Sequence, residues 1–303
     1  KFSLGFWPSP EPVSRGFNRD RAVRYFVSHR SCVLGIITFL LLDLSCRVQH
    51  VVEMPDKQQF LLIDISNSNT KMILSSESSL LGDVFSIPTS EFCSDTFNHL
   101  PWEIDKKELK VVISSVVPEK NPFIEGSFES EKVLYVSNQI KLGCGIDYTK
   151  PESIGADRLA NTVGAIHFIG APAIVVDFGT ALTFDVISRE KAYIGGVIAP
   201  GLAAMTDYMH DNTALLPKID LNEPLSVIGK TTEAAMLSGA VIGYRGLVRQ
   251  ILSSLMIELG ESNVPVVATG GYSKLISRGI EEIIEVNEKL TLEGLRIIAK
   301  LNN

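Results

Sequence analysis

Apolar and polar positions alternate in blocks along most of this chain, and the block lengths differ in kind. Runs of strand length occur at Phe60 to Ile65, Leu109 to Val117, Val133 to Val136, Ala173 to Asp177 and Val264 to Ala268, each closed by polar residues, Gly or Pro. Helical patterns lie between them. The clearest is "GKTTEAAMLSGAVIGYRGLVRQILSSLMIELG", where Ala240, Leu247, Ile251 and Leu255 recur at helical spacing. Thr231 is placed to cap that helix and Gly260 to end it. Gly239, Gly243 and Gly246 inside it cost about 1 kcal/mol each relative to Ala, so the close approach of another backbone is expected there. Strands alternating with helices predict an α/β fold.

One pattern occurs twice. "LLIDISNSNTKMIL" begins at position 61 and "IVVDFGTALTFDVI" at position 174. Each predicts a strand ending in Asp, a tight turn of small and hydroxyl residues, and a returning strand. Superposing them pairs Asp64 with Asp177, Ser66 with Gly179, Asn67 with Thr180, and Thr70 with Thr183. The duplication predicts two lobes, residues 59–168 and 169–303, with a cleft between them. Such turns present backbone amides and hydroxyls that suit a phosphate, and the strand-end carboxylate suits a hard cation such as Mg²⁺. An Asp-initiated β-turn accounts for either stretch taken alone. Their repetition at equivalent places points instead to a polyphosphate gripped from both sides.

Three further stretches carry candidate chemistry. In "IDYTKPESIGADRLAN", Gly155, Asp157 and Arg158 fall at the expected start of a helix, where a cap and a surface charge are the plain alternative. "YIGGVIAPGL" is expected to be a rigid glycine-rich turn, and "VVATGG" a loop whose backbone can lie flat against a base or ribose. His210 reads as a surface residue.

Composition narrows the class. A formal charge of −7 over 303 residues lacks the cationic excess of a nucleic-acid surface. Cys32, Cys46, Cys93 and Cys144 form no CxxC pair, which fits reduced thiols in a cytoplasmic protein. The first 53 residues carry seven Lys/Arg against four Asp/Glu. Their apolar run from Val33 to Leu42 is shorter than the roughly 20 residues of a membrane span. Residues 1–58 are therefore expected to be an extension outside the native fold, with Met54 as the natural start.

Taken in order, "DISNSNTK", "GADR", "DFGTALTFD", "GGVIAPG", "IGKTTEAAM" and "TGG" resemble the motif series of the type III pantothenate kinases. That family belongs with acetate and sugar kinases, Hsp70 and actin, and the resemblance spans residues 59 to 300. It implies two duplicated RNase H-like (actin-like ATPase) lobes with a nucleotide cleft, and ATP-dependent phosphorylation of pantothenate to 4′-phosphopantothenate, opening coenzyme A biosynthesis. On this resemblance Asp64, Ile65, Ser66, Asn67, Ser68, Asn69, Thr70 and Lys71 hold the ATP phosphates together with Thr180. Asp177 binds a monovalent cation, K⁺ or NH₄⁺, and Mg²⁺ accompanies ATP. Tyr148, Gly155, Ala156, Asp157, Arg158 and Thr232 line the pantothenate site, with Asp157 accepting the proton of the attacking hydroxyl. A cytoplasmic homodimer, with neither nucleic-acid nor membrane partners, is implied as well.

Two positions depart from the family pattern: its first-loop Gly is Ser66 and its Thr is Ser68. The first change is expected to cost about 1–2 kcal/mol if that loop needs a positive φ. A catalytically weak nucleotide-binding regulator, or a kinase of another small alcohol, are the alternative functions. An RNase H-like nuclease would need several carboxylates converging on two metals.

Overall fold

The computed structural model describes residues 60–104 and 106–303, so the expectations for residues 1–58 lie outside the described residues. Strands β1 (Phe60–Ile65), β2 (Asn69–Ser75) and β3 (Leu80–Pro88) form an antiparallel meander. Strand β4 (Lys110–Ser115) adds parallel to β1; after the short helix α1 (Asn121–Glu125), β5 (Val133–Tyr135) adds parallel to β4. The sheet order is β3-β2-β1-β4-β5.

After β6 (Gly145–Ile146) and helix α2 (Ala156–Phe168), the same plan repeats. Strands β7 (Ala173–Phe178), β8 (Ala181–Ile187) and β9 (Ala192–Pro200) form a second antiparallel meander. Helices α3 (Leu202–Asp211) and α4 (Thr232–Leu259) follow. Strand β10 (Val266–Thr269) then pairs parallel with β7, helix α5 (Ser273–Ile276) intervenes, and β11 (Ile283–Val286) pairs parallel with β10. The second sheet is ordered β11-β10-β7-β8-β9-β6, so five of its strands repeat the first sheet in order and sense. Helix α6 (Leu290–Leu301) closes the chain.

Continuous apolar runs mark the central strands because both faces of each sheet are covered. β1 is buried at every position, and β7 at all but Asp177. One face of the first sheet (Phe60, Leu62, Ile73, Val112) packs with Leu159 and Val163 of α2 and Leu295 and Ile298 of α6. Its other face meets Phe92, Phe97 and Ile124. In the second sheet, Ile174, Val176 and Phe184 pack on Val241, Tyr244, Val248 and Leu252 of α4. Helices α2 and α6 touch closely, since a β-carbon on Gly294 would overlap the Ala160 carbonyl.

Helix α4 has the expected ends. Thr231 Oγ1 accepts from the Ala234 amide at 3.1 Å, and Gly260 closes the helix at φ 68°. Among the described residues of this chain no backbone approaches its glycines, because a β-carbon added at Gly239, Gly243 or Gly246 would meet nothing within 4 Å. The "YIGGVIAPGL" stretch also differs from expectation, being largely strand β9 rather than a turn. Its glycines serve close passage instead. A β-carbon on Gly196 would overlap the Phe184 carbonyl of β8 and lie 2.8 Å from Arg158 Nη2.

Candidate active site

Both repeated stretches are hairpins, but their turns differ in length. Ile65 pairs with Thr70, leaving residues 66–69 to turn, whereas Phe178 pairs with Leu182, leaving only 179–181. Register therefore matches Lys71 with Thr183, each standing opposite the strand-end Asp. The pairing of Thr70 with Thr183 drawn from sequence is one residue out. Side chains alternate faces along a strand, so the slip decides which ones face the cleft. Lys71 and Thr183 line it, whereas Thr70 and Leu182 are buried.

A cavity of about 490 Å³ opens between the two turns. Asp64, Ser66, Asn67, Ser68, Asn69 and Lys71 line one side; Asp177, Gly179, Thr180 and Thr183 line the other. Ser68 Oγ and Thr180 Oγ1 share a hydrogen bond of 2.7 Å, so the turns meet across the cleft. Asp157, in the first turn of α2, lines the same cavity. Its Oδ1 accepts from the Arg158 amide at 2.8 Å.

Other expected site residues are not among those lining this cavity. Ile65 is 0% exposed within the apolar core, and Thr70 Oγ1 is taken up by Thr89 Oγ1 at 3.0 Å. Gly155 caps α2, Ala156 is buried behind it, and Thr232 is exposed at the start of α4. Arg158 is no surface charge. Its Nε donates to Asp185 Oδ1 at 2.5 Å, its Nη2 donates to the Phe184 carbonyl at 3.3 Å, and its guanidinium lies 5.5 Å from the Tyr193 ring centre. Tyr148 packs edge-on against the same ring at 5.6 Å, with Gly195 behind it. Tyr148, Arg158 and Tyr193 thus form a polar-aromatic group beginning at the residue after Asp157.

The type III pantothenate kinase family pattern matches residues 60–254. This chain belongs to that family. A type III pantothenate kinase of Akkermansia muciniphila is 50% identical over 80% of this chain and 99% of its own length. One from Methylacidiphilum infernorum is 41% identical over 80% of this chain and 88% of its own. Among solved structures, a conserved chain from Campylobacter jejuni assigned to the Baf family of transcriptional activators superposes with a TM-score of 0.53 at 20% identity, covering 79% of this chain and 97% of its own. A chain from Sinorhizobium meliloti assigned as a 2-dehydro-3-deoxygalactonokinase gives 0.52 at 15% identity, covering 80% and 96%. At such identities the two structures speak to fold alone, and the fold is the duplicated, RNase H-like architecture already visible in the strand order.

In this kinase the Gly-to-Ser change at position 66 carries no backbone strain. Among the described residues, Lys191 is the only non-glycine with positive φ, so the expected cost does not arise. The Ser66 hydroxyl instead donates to Asp64 Oδ2 at 3.1 Å. The other oxygen, Oδ1, is buried without a hydrogen bond of good geometry; Ser114, opposite on β4, only tempers the pKa.

Sequence reasoning missed the support for Asp177. Asn161 Nδ2 donates to Asp177 Oδ2 at 3.1 Å, and Asn161 Oδ1 accepts from Thr291 Oγ1 of α6 at 2.7 Å. The signal was available, since Asn161 stands four residues after Asp157 and so shares its helix face. Ala203, Ala204 and Asp207 of α3 also line the cavity, and no motif marked them.

Burial, then the neighbouring Asp157 charge, raises the Asp64 pKa to about 6. Burial likewise raises Asp177 to about 6, against the pull of the Asn161 hydrogen bond. Asp157 is shifted upward by burial too, and Lys71 opposes the rise at Asp64 and Asp177. A carboxyl raised in the folded state favours folding below its unfolded value near 3.8, and that contribution is lost as pH climbs through about 6. Asp64→Asn is therefore expected to stabilise the ligand-free chain above pH 6, by on the order of 2 kcal/mol. Its Tm advantage should shrink toward zero near pH 4. Thermal denaturation of both proteins across that range checks this, and a pH-independent difference would contradict it.

Proposed function

We propose that this chain transfers the γ-phosphoryl group of ATP to the 4′-hydroxyl of pantothenate, giving 4′-phosphopantothenate for coenzyme A biosynthesis. The observation that carries this, beyond family membership, is that both acidic-ended turns and Asp157 line one cavity of about 490 Å³. Phosphoryl transfer passes through a loose transition state, so positioning and charge matter most. Ser66, Asn67, Ser68, Asn69, Lys71 and Thr180 hold the phosphates from the two sides. Asp157 orients the pantothenate hydroxyl and takes its proton. Tyr148, Arg158 and the backbone at Gly155 and Ala156 shape the pantothenate end, and Thr232 adds to it at the start of α4.

Asp64 Oδ1, buried and poorly partnered, suits a divalent cation that completes its shell with phosphate oxygens and water. Such a cation offsets charge on the phosphates. Asp177 is assigned to K⁺ or NH₄⁺, its carboxylate steadied by Asn161. Residues 59–168 and 169–303 act as the two sides of the cleft, with α6 packing back on the first sheet. Exposed Leu215, Leu225, Val227 and Ile228, just before α4, support a homodimer that covers them. Among the described residues Cys93 and Cys144 form no disulfide, in keeping with a cytoplasmic setting. Among the described residues, no helix is long and apolar enough to cross a membrane.

A coupled assay of ADP release, with and without pantothenate and K⁺, tests the proposal. Turnover should require pantothenate and rise with K⁺. Nucleotide binding without turnover on pantothenate would refute it.

A further inference from the structure

The first turn is braced from behind by one residue that none of the motifs includes. Thr89 follows β3 and opens a single 3₁₀ turn. Its amide donates to the Ser68 carbonyl at 3.0 Å, and its hydroxyl donates to the Ser66 carbonyl at 2.7 Å. Thr89 Oγ1 also lies 3.0 Å from Thr70 Oγ1. A hydroxyl has one proton to give, and that of Thr89 goes to Ser66, so Thr70 donates to Thr89. The result is a directed chain from Thr70 to Thr89 to the Ser66 carbonyl. Both threonines are sealed from water, with Thr89 3% and Thr70 0% exposed.

Within the turn, the carbonyls of Ser66 and Ser68 are thereby held toward Thr89. A carbonyl oxygen facing a phosphate would repel it, whereas amides and hydroxyls attract it. We propose that Thr89, relayed by Thr70, is a positioning residue that keeps those two carbonyls off the nucleotide and fixes the turn for ATP. The inference rests on assigning residues 66–69 to the ATP phosphates. It also gives Thr70 a role: a donor to the brace rather than a ligand.

The test uses the full chain with Thr89→Val, Thr89→Ser and Thr70→Val. Thr89→Val keeps the shape but leaves the Ser66 carbonyl unpaired, and should raise the KM for ATP about tenfold, the scale of one lost buried hydrogen bond. The KM for pantothenate should stay within about twofold, and Thr89→Ser should restore ATP binding to within about twofold. Thr70→Val spares the bond to Ser66 and should raise the ATP KM by about threefold. An unchanged ATP KM in Thr89→Val, or an equal loss for both substrates that Ser does not rescue, overturns the brace. Should Thr89→Val fail to fold, Thr70→Val decides by the same selectivity for ATP. Calorimetric ATP binding to parent and variants separates the two proposals. A parent that binds ATP but does not phosphorylate pantothenate refutes the function, while the brace stands or falls on the change in ATP Kd.

Discussion

Asp157→Asn is expected to lower kcat by roughly 10²–10⁴-fold while leaving ATP affinity within about twofold. The substitution is close to ideal for testing Asp157 as the proposed proton acceptor. Asn retains an oxygen at Oδ1, so the bond from the Arg158 amide at 2.8 Å, and with it the first turn of α2, is preserved. What disappears is the negative charge and the ability to take a proton. Removing that charge also relieves Asp64 and Asp177, whose pKa values it helps to raise. On the proposed roles, phosphate and cation binding should be spared and the loss confined to the step that activates the hydroxyl. Steady-state kinetics with both substrates varied reads the outcome. Parental kcat in the Asn variant would remove Asp157 from the chemistry.

Gly270→Ala should be nearly as damaging, by a different route. Gly270 has φ +89°, a conformation that side chains disfavour, and a β-carbon there would lie 2.5 Å from Asp177 Oδ1. It would also stand 2.6 Å and 2.7 Å from the Phe178 backbone carbon and nitrogen. Backbone cannot swing aside as a flexible side chain does, so the end of β7 must move and carry Asp177 with it. A shift of about 1 Å in a catalytic constellation costs on the order of 10²-fold, so kcat/KM should fall by at least that much for both substrates. Activity within about threefold of the parent would show that the close contact of Gly270, just after β10, with the end of β7 is not needed.

Gly270 also shows where the sequence was legible and where it was not. The TGG motif suggested a backbone lying flat against a base or ribose. Gly271 lines the cavity with open space around it, whereas Gly270 is glycine because it packs on Asp177 and Phe178. Strands β1 and β7 were readable because burial on both faces leaves an uninterrupted apolar run. The repeated hairpin was readable because the same chemistry recurs. The length of each turn was not, since register depends on ladder pairing, and one residue of difference turned Thr70 into the core. Glycines misled twice more. In β9 they permit close passage beneath Arg158 rather than a turn, and in α4 no described backbone of this chain approaches them. Arg158 looked like a surface charge beside Asp157, because its partner Asp185 lies 27 positions away and meets it only through the fold.

The pKa pattern ties stability to function. Carboxylates buried with an upward shift destabilise the free chain at neutral pH, and ligands that neutralise them recover that loss. Asp64→Asn should accordingly yield a more stable but less active protein, as strained sites commonly do.

The most direct measurement is a crystal structure of the full chain with a non-hydrolysable ATP analogue, Mg²⁺ and pantothenate. The terminal phosphates should lie between residues 66–69 and Thr180, with the pantothenate hydroxyl beside Asp157 and in line with the γ-phosphorus. Nucleotide bound outside the cavity shared by Asp64, Asp177 and Asp157, or pantothenate remote from Asp157, would contradict the assignment.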